Sequence, residues 1–567
     1  MTQRRRLSYP ELKEQIISFC GHIAGGPKVV AICMYGDHAP SPSKSETTVE
    51  IVAVISDFQP RLMSYVKTFN GRIAVVLAVD QWVFERDIDR GFLGEALVGG
   101  LIFPNMALVN AEYFHLQEVK LKRRLAREML ESLVLNYPEF SYGFFIQPEY
   151  FMYEAMNERA QLFPPKMRDL LVLMHSNTRD QFLQASLRGY VEALRQLESE
   201  NVITFSDGYV RLCHRFVDKA AKQRLLFTNL FKSGQRRLFM SLLGALLRFS
   251  NLMPRNIEFL RSLQKGFMSS KTTERIVTPE NYLLIPTASG LVPFTSRLDI
   301  QQFARKVLAA GNDVDVKTVR MGGILNDVYL VKFLFVGTEK TVVAKRFRDW
   351  SNFKWFPLTL WSVGTRRFSV SGRSRLEKEC AMSQLLYSEG FCVPKLLHVS
   401  PSERLIFKEY IDGEGLDRIV RKIGSSKSAD DVTKGLELVA KVGETLARVH
   451  ALGVALGDTK PENVVVTSHG KVCLLDFEQA SRRGDKVWDV AEFLYYGGHY
   501  IPPFADVTRA ESIAKAFIRG YISAGGNVGV VKKAANPKYT KVFSIFIFPH
   551  HMLAISNVCR RADKGVI

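Results

Sequence analysis

The stretch from Leu456 to Asp489, LGDTKPENVVVTSHGKVCLLDFEQASRRGDKVWD, constrains the rest of the chain most. It carries two polar clusters, Asp458-Thr-Lys460-Pro-Glu-Asn463 and Asp476-Phe-Glu478, each abutting an apolar run, Val464 to Val466 and Val472 to Leu475. Short apolar runs bounded by turn residues read as buried strands, so the clusters at their ends are expected to meet in one crevice. Three oxygen-bearing side chains, Asp458, Asn463 and Asp476, would then face a common space. Phosphoryl transfer needs such a set: a carboxylate to orient or deprotonate an attacking hydroxyl, and oxygen ligands for magnesium bridging the nucleotide phosphates.

The pattern D-x-K-P-E-N followed by a DF dipeptide resembles the catalytic and metal-binding loops of the protein-kinase-like superfamily, with DFE where DFG is usual. Features upstream follow the order of a kinase small lobe. Val319 to Phe333 reads as a strand, a glycine turn at Gly322-Gly323 and a second strand, although the full G-x-G-x-x-G is missing. Glycine there lets backbone N–H groups approach phosphates with no Cβ in the way. Thr341-Val-Val-Ala344-Lys345 puts a lysine on an otherwise apolar strand, and a helix is expected over Gly372 to Glu389. Glu377 and Glu379 on that helix compete as the lysine's partner. Counting back from Gly390 and Val393-Pro394, a run like that of the KEOPS-complex kinases, favours Glu379. Leu405 to Ile411 resembles the hinge between lobes, with Glu409 and Ile411 offering backbone to an adenine edge.

The departures from the pattern narrow the resemblance. His-Arg-Asp becomes Leu456-Gly457-Asp458, so no arginine is present to clamp a phosphorylated segment. Asp489 follows Asp476 by only 13 residues, which leaves no room for an activation loop and peptide platform. The chain thus resembles the compact atypical branch: archaeal KEOPS-complex kinases, RIO kinases, and aminoglycoside and choline phosphotransferases. The resemblance implies ATP and Mg2+ as cofactors. It makes Asp458 the base or orienting group and Lys460 the stabiliser of the transferring phosphoryl. Asn463 and Asp476 become metal ligands, and Gly322, Gly323, Lys345, Glu379, Glu409 and Ile411 the nucleotide-binding set. A serine/threonine protein kinase is the leading expectation; a small-molecule kinase and an RNA-associated ATPase or scaffold are the rivals.

A chain of 567 residues exceeds one core and divides into several domains. No run reaches the roughly 18 apolar residues of a membrane span, and the basic start MTQRRRLSYPELKE has no apolar core behind it, so no secretory signal is expected. Seven cysteines without a C-x-x-C pair argue against a zinc site or a disulfide framework and for a reducing, cytoplasmic location. The net charge of +20 favours polyanionic partners such as RNA, DNA or an anionic membrane face; a basic source proteome gives the same balance.

The expected fold class is α+β multidomain, with a C-terminal bilobal kinase-like fold. Residues 1–140 read as an α/β domain that resembles a degenerate nucleotidyltransferase. Its strand ends at Tyr35-Gly36-Asp37 and its acidic pair aligns on Thr48 and Glu50, supplying one carboxylate where two-metal transfer needs two. An unrelated small α/β domain fits the same signals. A basic helix over Ala111 to Tyr137 presents Lys120, Lys122, Arg123, Arg124 and Arg127, a face that either binds phosphates or is simply solvated. Residues 141–220 read as helices and a hairpin turning at Ser206-Asp207-Gly208, a winged-helix-like order whose acids make a poor groove reader. Residues 221–298 read as a basic helical segment and linker, 299–415 as the small lobe and hinge, and 416–567 as the large lobe with an extension. The insertion Arg346 to Gly372 carries Trp350, Trp355 and Trp361 among basic residues, with packing favoured over base stacking.

Overall fold

The computed structural model describes residues 9–35, 49–69, 72–162, 170, 174, 179–222, 277–308, 316–321, 326–335, 338–349 and 368–563. Gly322, Gly323, Asp37, Thr48, the three insertion tryptophans and residues 223–276 of the basic segment lie outside them. The fold is mixed α and β with several sheets, and the chain forms two compact units, Met1–Leu284 and Ile285–Ile567.

The first unit holds a five-stranded sheet in the order β3-β4-β2-β1-β5, from β1 (Val29–Tyr35), β2 (Val49–Ile55), β3 (Leu62–Phe69), β4 (Arg72–Asp80) and β5 (Asn105–Val109). Ile51, Val52, Ala53 and Val54 on β2 are all fully buried, so both faces of the strand are covered, which is why it reads as an apolar run rather than an alternating one. Glu50 lies on β2 opposite Tyr35. Asp80 ends β4 and accepts the backbone N–H groups of Phe58 and Trp82, capping the next helix.

The positive face expected on the helix Ala111–Asn136 is neutralised from within. Lys122 is buried and bonds Glu118 and the Ser186 carbonyl, Arg124 pairs with Glu95, and Arg123 and Arg127 both reach Glu200. Glu118 lies on the same helix, but Glu95 and Glu200 come from other segments, so the helix read alone overstates its free charge. Helix Arg179–Ser199 follows, and its Glu198 accepts the Phe205 N–H of the hairpin β7 (Ile203–Ser206) and β8 (Tyr209–Leu212). β8 pairs with a short strand β6 (Phe145–Ile146), against which Leu283 and Leu284 also lie. The hairpin turn has positive φ at Asp207 and Gly208, the geometry that tight two-residue loops require.

The second unit opens with β9 (Leu283–Thr287) continuing past the boundary and β10 (Gly290–Pro293). An antiparallel sheet follows in the order β11-β12-β13-β15-β14, from β11 (Val316–Arg320), β12 (Asn326–Phe335), β13 (Thr338–Phe347), β14 (Leu396–Ser400) and β15 (Leu405–Glu409). Phe303, Val331, Phe333, Ala344 and Phe407 fill one side of it, with the Phe303 and Phe407 rings stacked at 3.7 Å between centroids. His398 on β14 lies 5.7 Å from Phe303, and burial lowers its pKa to about 4. Because the folded pKa lies below the unfolded one, the unfolded chain binds the proton more readily between about pH 4 and 6.5. Stability from neutral His398 is present above that window and lost as pH falls through it. The unfolding temperature of this unit should drop from pH 6.5 to 4.5, and His398→Gln should flatten the slope.

Beyond the sheet the unit is mostly helical, with short strands β16 (Glu414–Gly415), β17 (Val454–Ala455), β18 (Val464–Val466), β19 (Val472–Leu474) and β20 (Ser481–Arg482). Helices Ala429–Ala451 and Val507–Ser523 pack backbone to backbone because Gly443 and Gly520 face each other's chain. A Cβ on Gly520 would come 2.0 Å from the Ala440 carbonyl oxygen. Gly520→Ala is therefore expected to destabilise this unit by about 3 kcal/mol, readable as a loss of denaturation midpoint at unchanged secondary structure.

One expectation is corrected here. Cys392 and Cys473, 81 residues apart, form a disulfide with their Cα atoms at 4.5 Å. The Leu474 N–H donates to the Cys392 carbonyl, so β19 and the segment before β14 run side by side. Sequence spacing could not show that juxtaposition. Cys20, Cys33, Cys213, Cys380 and Cys559 are free. Among the described residues no helix is long and apolar enough to cross a membrane.

Candidate active site

The loop Leu456–Asn463 is held by two buried acids of the helix Lys486–Gly498. Asp489 accepts the N–H groups of Leu456 and Gly457 at 2.6 and 2.7 Å and also meets His450 at 3.1 Å. Glu492 accepts the Thr459 N–H and the Trp488 indole N–H. Gly457 has φ +75°, which explains the glycine in the position preceding Asp458: a side chain there would be strained. The Asn463 amide donates to the Asp458 carbonyl at 3.0 Å, and the Asn463 carbonyl accepts from Leu475 N–H, which draws the end of β19 onto the loop.

Asp458, Asn463 and Asp476 accordingly line one cavity, floored by Val442, Leu446, Leu456 and Phe493. The Lys460 ammonium lies 3.1 Å from Asp458. Burial works against its charge, but Asp458 and Glu492 overcome it and hold the lysine cationic beyond its ordinary range.

Lys345 projects from β13 into a cluster of acids. Its Nζ is 2.7 Å from Asp476, 2.9 Å from Glu478 and 3.8 Å from Glu379. Burial alone would lower the Lys345 pKa; the three carboxylates more than reverse that. Asp476 shows the reciprocal effect. Burial would raise its pKa, yet Lys345 and Lys408 hold the carboxyl well below the usual carboxylate range. The net effect favours the ionised carboxylate.

Glu379 makes its closer contacts elsewhere. One oxygen meets the Lys408 ammonium, and the other accepts the Phe477 N–H at 2.7 Å. Burial pushes its carboxyl upward against the pull of Lys408 and Lys345. Glu377 is buried on the same helix, Gly372–Ser388.

Glu409 ends β15, its N–H bonded to the Lys395 carbonyl, and Ile411 follows where the chain leaves the sheet. Glu478 is the residue whose role the motif alone did not disclose. Besides Lys345 it bonds Asn326 at 2.6 Å and Arg375 at 3.2 Å, and Arg375 also bonds Asn326. It thereby ties the first residue of β12 and the Gly372–Ser388 helix to the turn that follows Asp476.

The Asp476 carboxylate and the Asn463 amide oxygen, on segments joined by the Leu475 to Asn463 backbone bond, are the oxygen donors that would hold a hard divalent cation keeping water and phosphate oxygens as its other ligands. Comparison with known proteins finds likenesses over part of the chain. No family model matches the chain. It is 24% identical over 194 residues to a protein named probable serine/threonine-protein kinase PknB from Lactococcus lactis, a match covering 33% of this chain and 27% of that one. It is 26% identical over 105 residues to KEOPS complex subunit Bud32 of Pyrococcus abyssi, covering 18% of this chain and 44% of that one. The chain thus spans less than half the length of each of these relatives, and the likeness is to the protein-kinase-like superfamily over part of the chain.

Proposed function

We propose that the second unit is an ATP- and magnesium-dependent phosphotransferase with the bilobal kinase-like fold, and that its acceptor is a serine or threonine hydroxyl of a protein. The observation that carries this reading is Lys345 in contact with Asp476, whose segment is drawn onto the Asp458–Asn463 loop by the bond from the Leu475 N–H to the Asn463 carbonyl.

Asp458 receives the acceptor hydroxyl and orients it; Lys460, bound to Asp458, supplies positive charge where the transferring group carries negative charge. Asn463 and Asp476 hold magnesium, which when bound offsets the charge of the phosphates. Lys345 binds the α and β phosphates, and the backbone of Glu409 and Ile411 meets the adenine edge. Gly322 and Gly323, assigned to the phosphate-covering turn from the sequence, lie outside the described residues.

A second reading, a small-molecule kinase, is favoured by one observation. Asp485 already caps the helix beginning at Lys486, so the interval after Asp476 holds only a turn and β20 and offers no peptide platform. Labelled ATP incubated with the full chain alone, with a generic protein acceptor and with RNA separates the readings. Phosphate on protein supports the first, and phosphate on neither protein nor water moves weight to the second. Free phosphate released faster with RNA would overturn both in favour of an ATPase.

A further inference from the structure

The second buried lysine of the sheet, Lys408, has no part in the reading above. It lies on β15 beside Val343 of β13 and is 5% exposed. Its Nζ meets Glu379 and donates to the Leu475 carbonyl at 2.7 Å. Glu379 in turn accepts the Phe477 N–H. The backbone on either side of Asp476 is thus gripped by the two halves of one ion pair: residue 475 by the lysine, residue 477 by the glutamate.

A lysine at this depth carries a desolvation cost of several kcal/mol that an apolar residue would not, so filling space does not account for it. Lys345, 3.8 Å from Glu379 but in contact with Asp476 and Glu478, is not the glutamate's principal counter-ion.

We propose that Lys408, paired with Glu379, is a positioning residue that fixes Asp476 for its metal. The inference rests on the phosphotransferase reading and adds a role that the motif order does not assign. With Lys408 holding Glu379, Lys345 stays on the acids nearest the nucleotide and can exchange them for phosphate oxygens. The pair acts on the metal ligand through the backbone; neither member touches the reacting atoms.

The test measures the magnesium concentration giving half-maximal binding of a fluorescent ATP analogue, displaced by ATP, in the full chain. Lys408→Met should raise that concentration about tenfold or more, the range for loss of a residue supporting a metal ligand. Lys408→Arg, which can reach both the carboxylate and the carbonyl, should restore most of it. Because Lys408→Met leaves Glu379 buried and unbalanced, the double variant Lys408→Met with Glu379→Met is measured alongside. Removing both charges should recover thermal stability while the magnesium requirement stays raised, which a merely structural pair would not do. A wild-type chain that binds no ATP analogue at any magnesium concentration overturns the phosphotransferase reading and this inference with it. A wild type that binds, with a magnesium requirement unchanged in Lys408→Met or restored in the double variant, overturns this inference alone.

Discussion

Asp476→Ala is expected to slow ATP turnover about a thousandfold or more, roughly 4 kcal/mol of transition-state stabilisation, in a chain that remains folded. Both halves of that expectation come from the acid cluster. Lys345 and Lys408 favour the ionised form of Asp476, so its removal takes away the charge that the proposed function gives to the metal. Yet Lys345 keeps Glu478 at 2.9 Å and Glu379 at 3.8 Å, so no bare cation is left in the interior. Asp458→Asn should lose turnover on a similar scale by a different route. It preserves the Asn463 bond, which is made to the Asp458 backbone, and so should lower kcat while leaving the KM for ATP near the wild-type value. Steady-state kinetics with varied ATP and magnesium separate the two: a metal requirement raised by Asp476→Ala, and unchanged by Asp458→Asn. Equal effects of both variants on the metal requirement would be incompatible with the assigned roles.

What the sequence disclosed and what it hid divide along sequence separation. The loop of Asp458 and Asn463 and the turn of Asp476 lie within one short stretch, with a strand pair and a tight turn joining them, and local patterning was enough to bring them together. The second unit's cross-links join residues far apart: Asn326 to Glu478 across 152 positions, Arg375 to Glu478 across 103, Lys408 to Glu379 across 29. No periodicity records such pairs. A signal for Lys408 did exist, since Ile406-Phe407-Lys408 presents a lysine inside an apolar strand just as Ala344-Lys345 does, and the same question of what a buried ammonium bonds applies to both. The basic helix of the first unit shows the same limit in reverse. Arg124 and Arg127 read as free charge because Glu95 and Glu200 lie 29 and 73 positions away.

Glu478 offers the sharpest test of how the site is built. Glycine at this position is usual in the related motif and would leave the turn after Asp476 free to adopt positive φ. Here the glutamate is 4% exposed and bonds Lys345, Asn326 and Arg375 at once, so the turn is fixed to β12 and to the Gly372–Ser388 helix. Glu478→Gly is expected to destabilise the second unit by about 3 kcal/mol or more, because it withdraws a buried carboxylate from two buried cations rather than exchanging an ion pair for packed carbon. Glu478→Gln, which keeps an acceptor for Arg375 but cannot offset its charge, should fall between glycine and wild type. Adding Arg375→Met to Glu478→Gln should recover part of the loss, with a coupling on the order of 1–3 kcal/mol in the double-mutant cycle. Denaturant unfolding of the four chains measures it. Additive effects within about 0.5 kcal/mol would mean that Arg375 and Glu478 do not work as a unit. A coupled pair would instead make the glutamate of the DFE motif an anchor, holding Asp476 in one arrangement where a glycine would let it move.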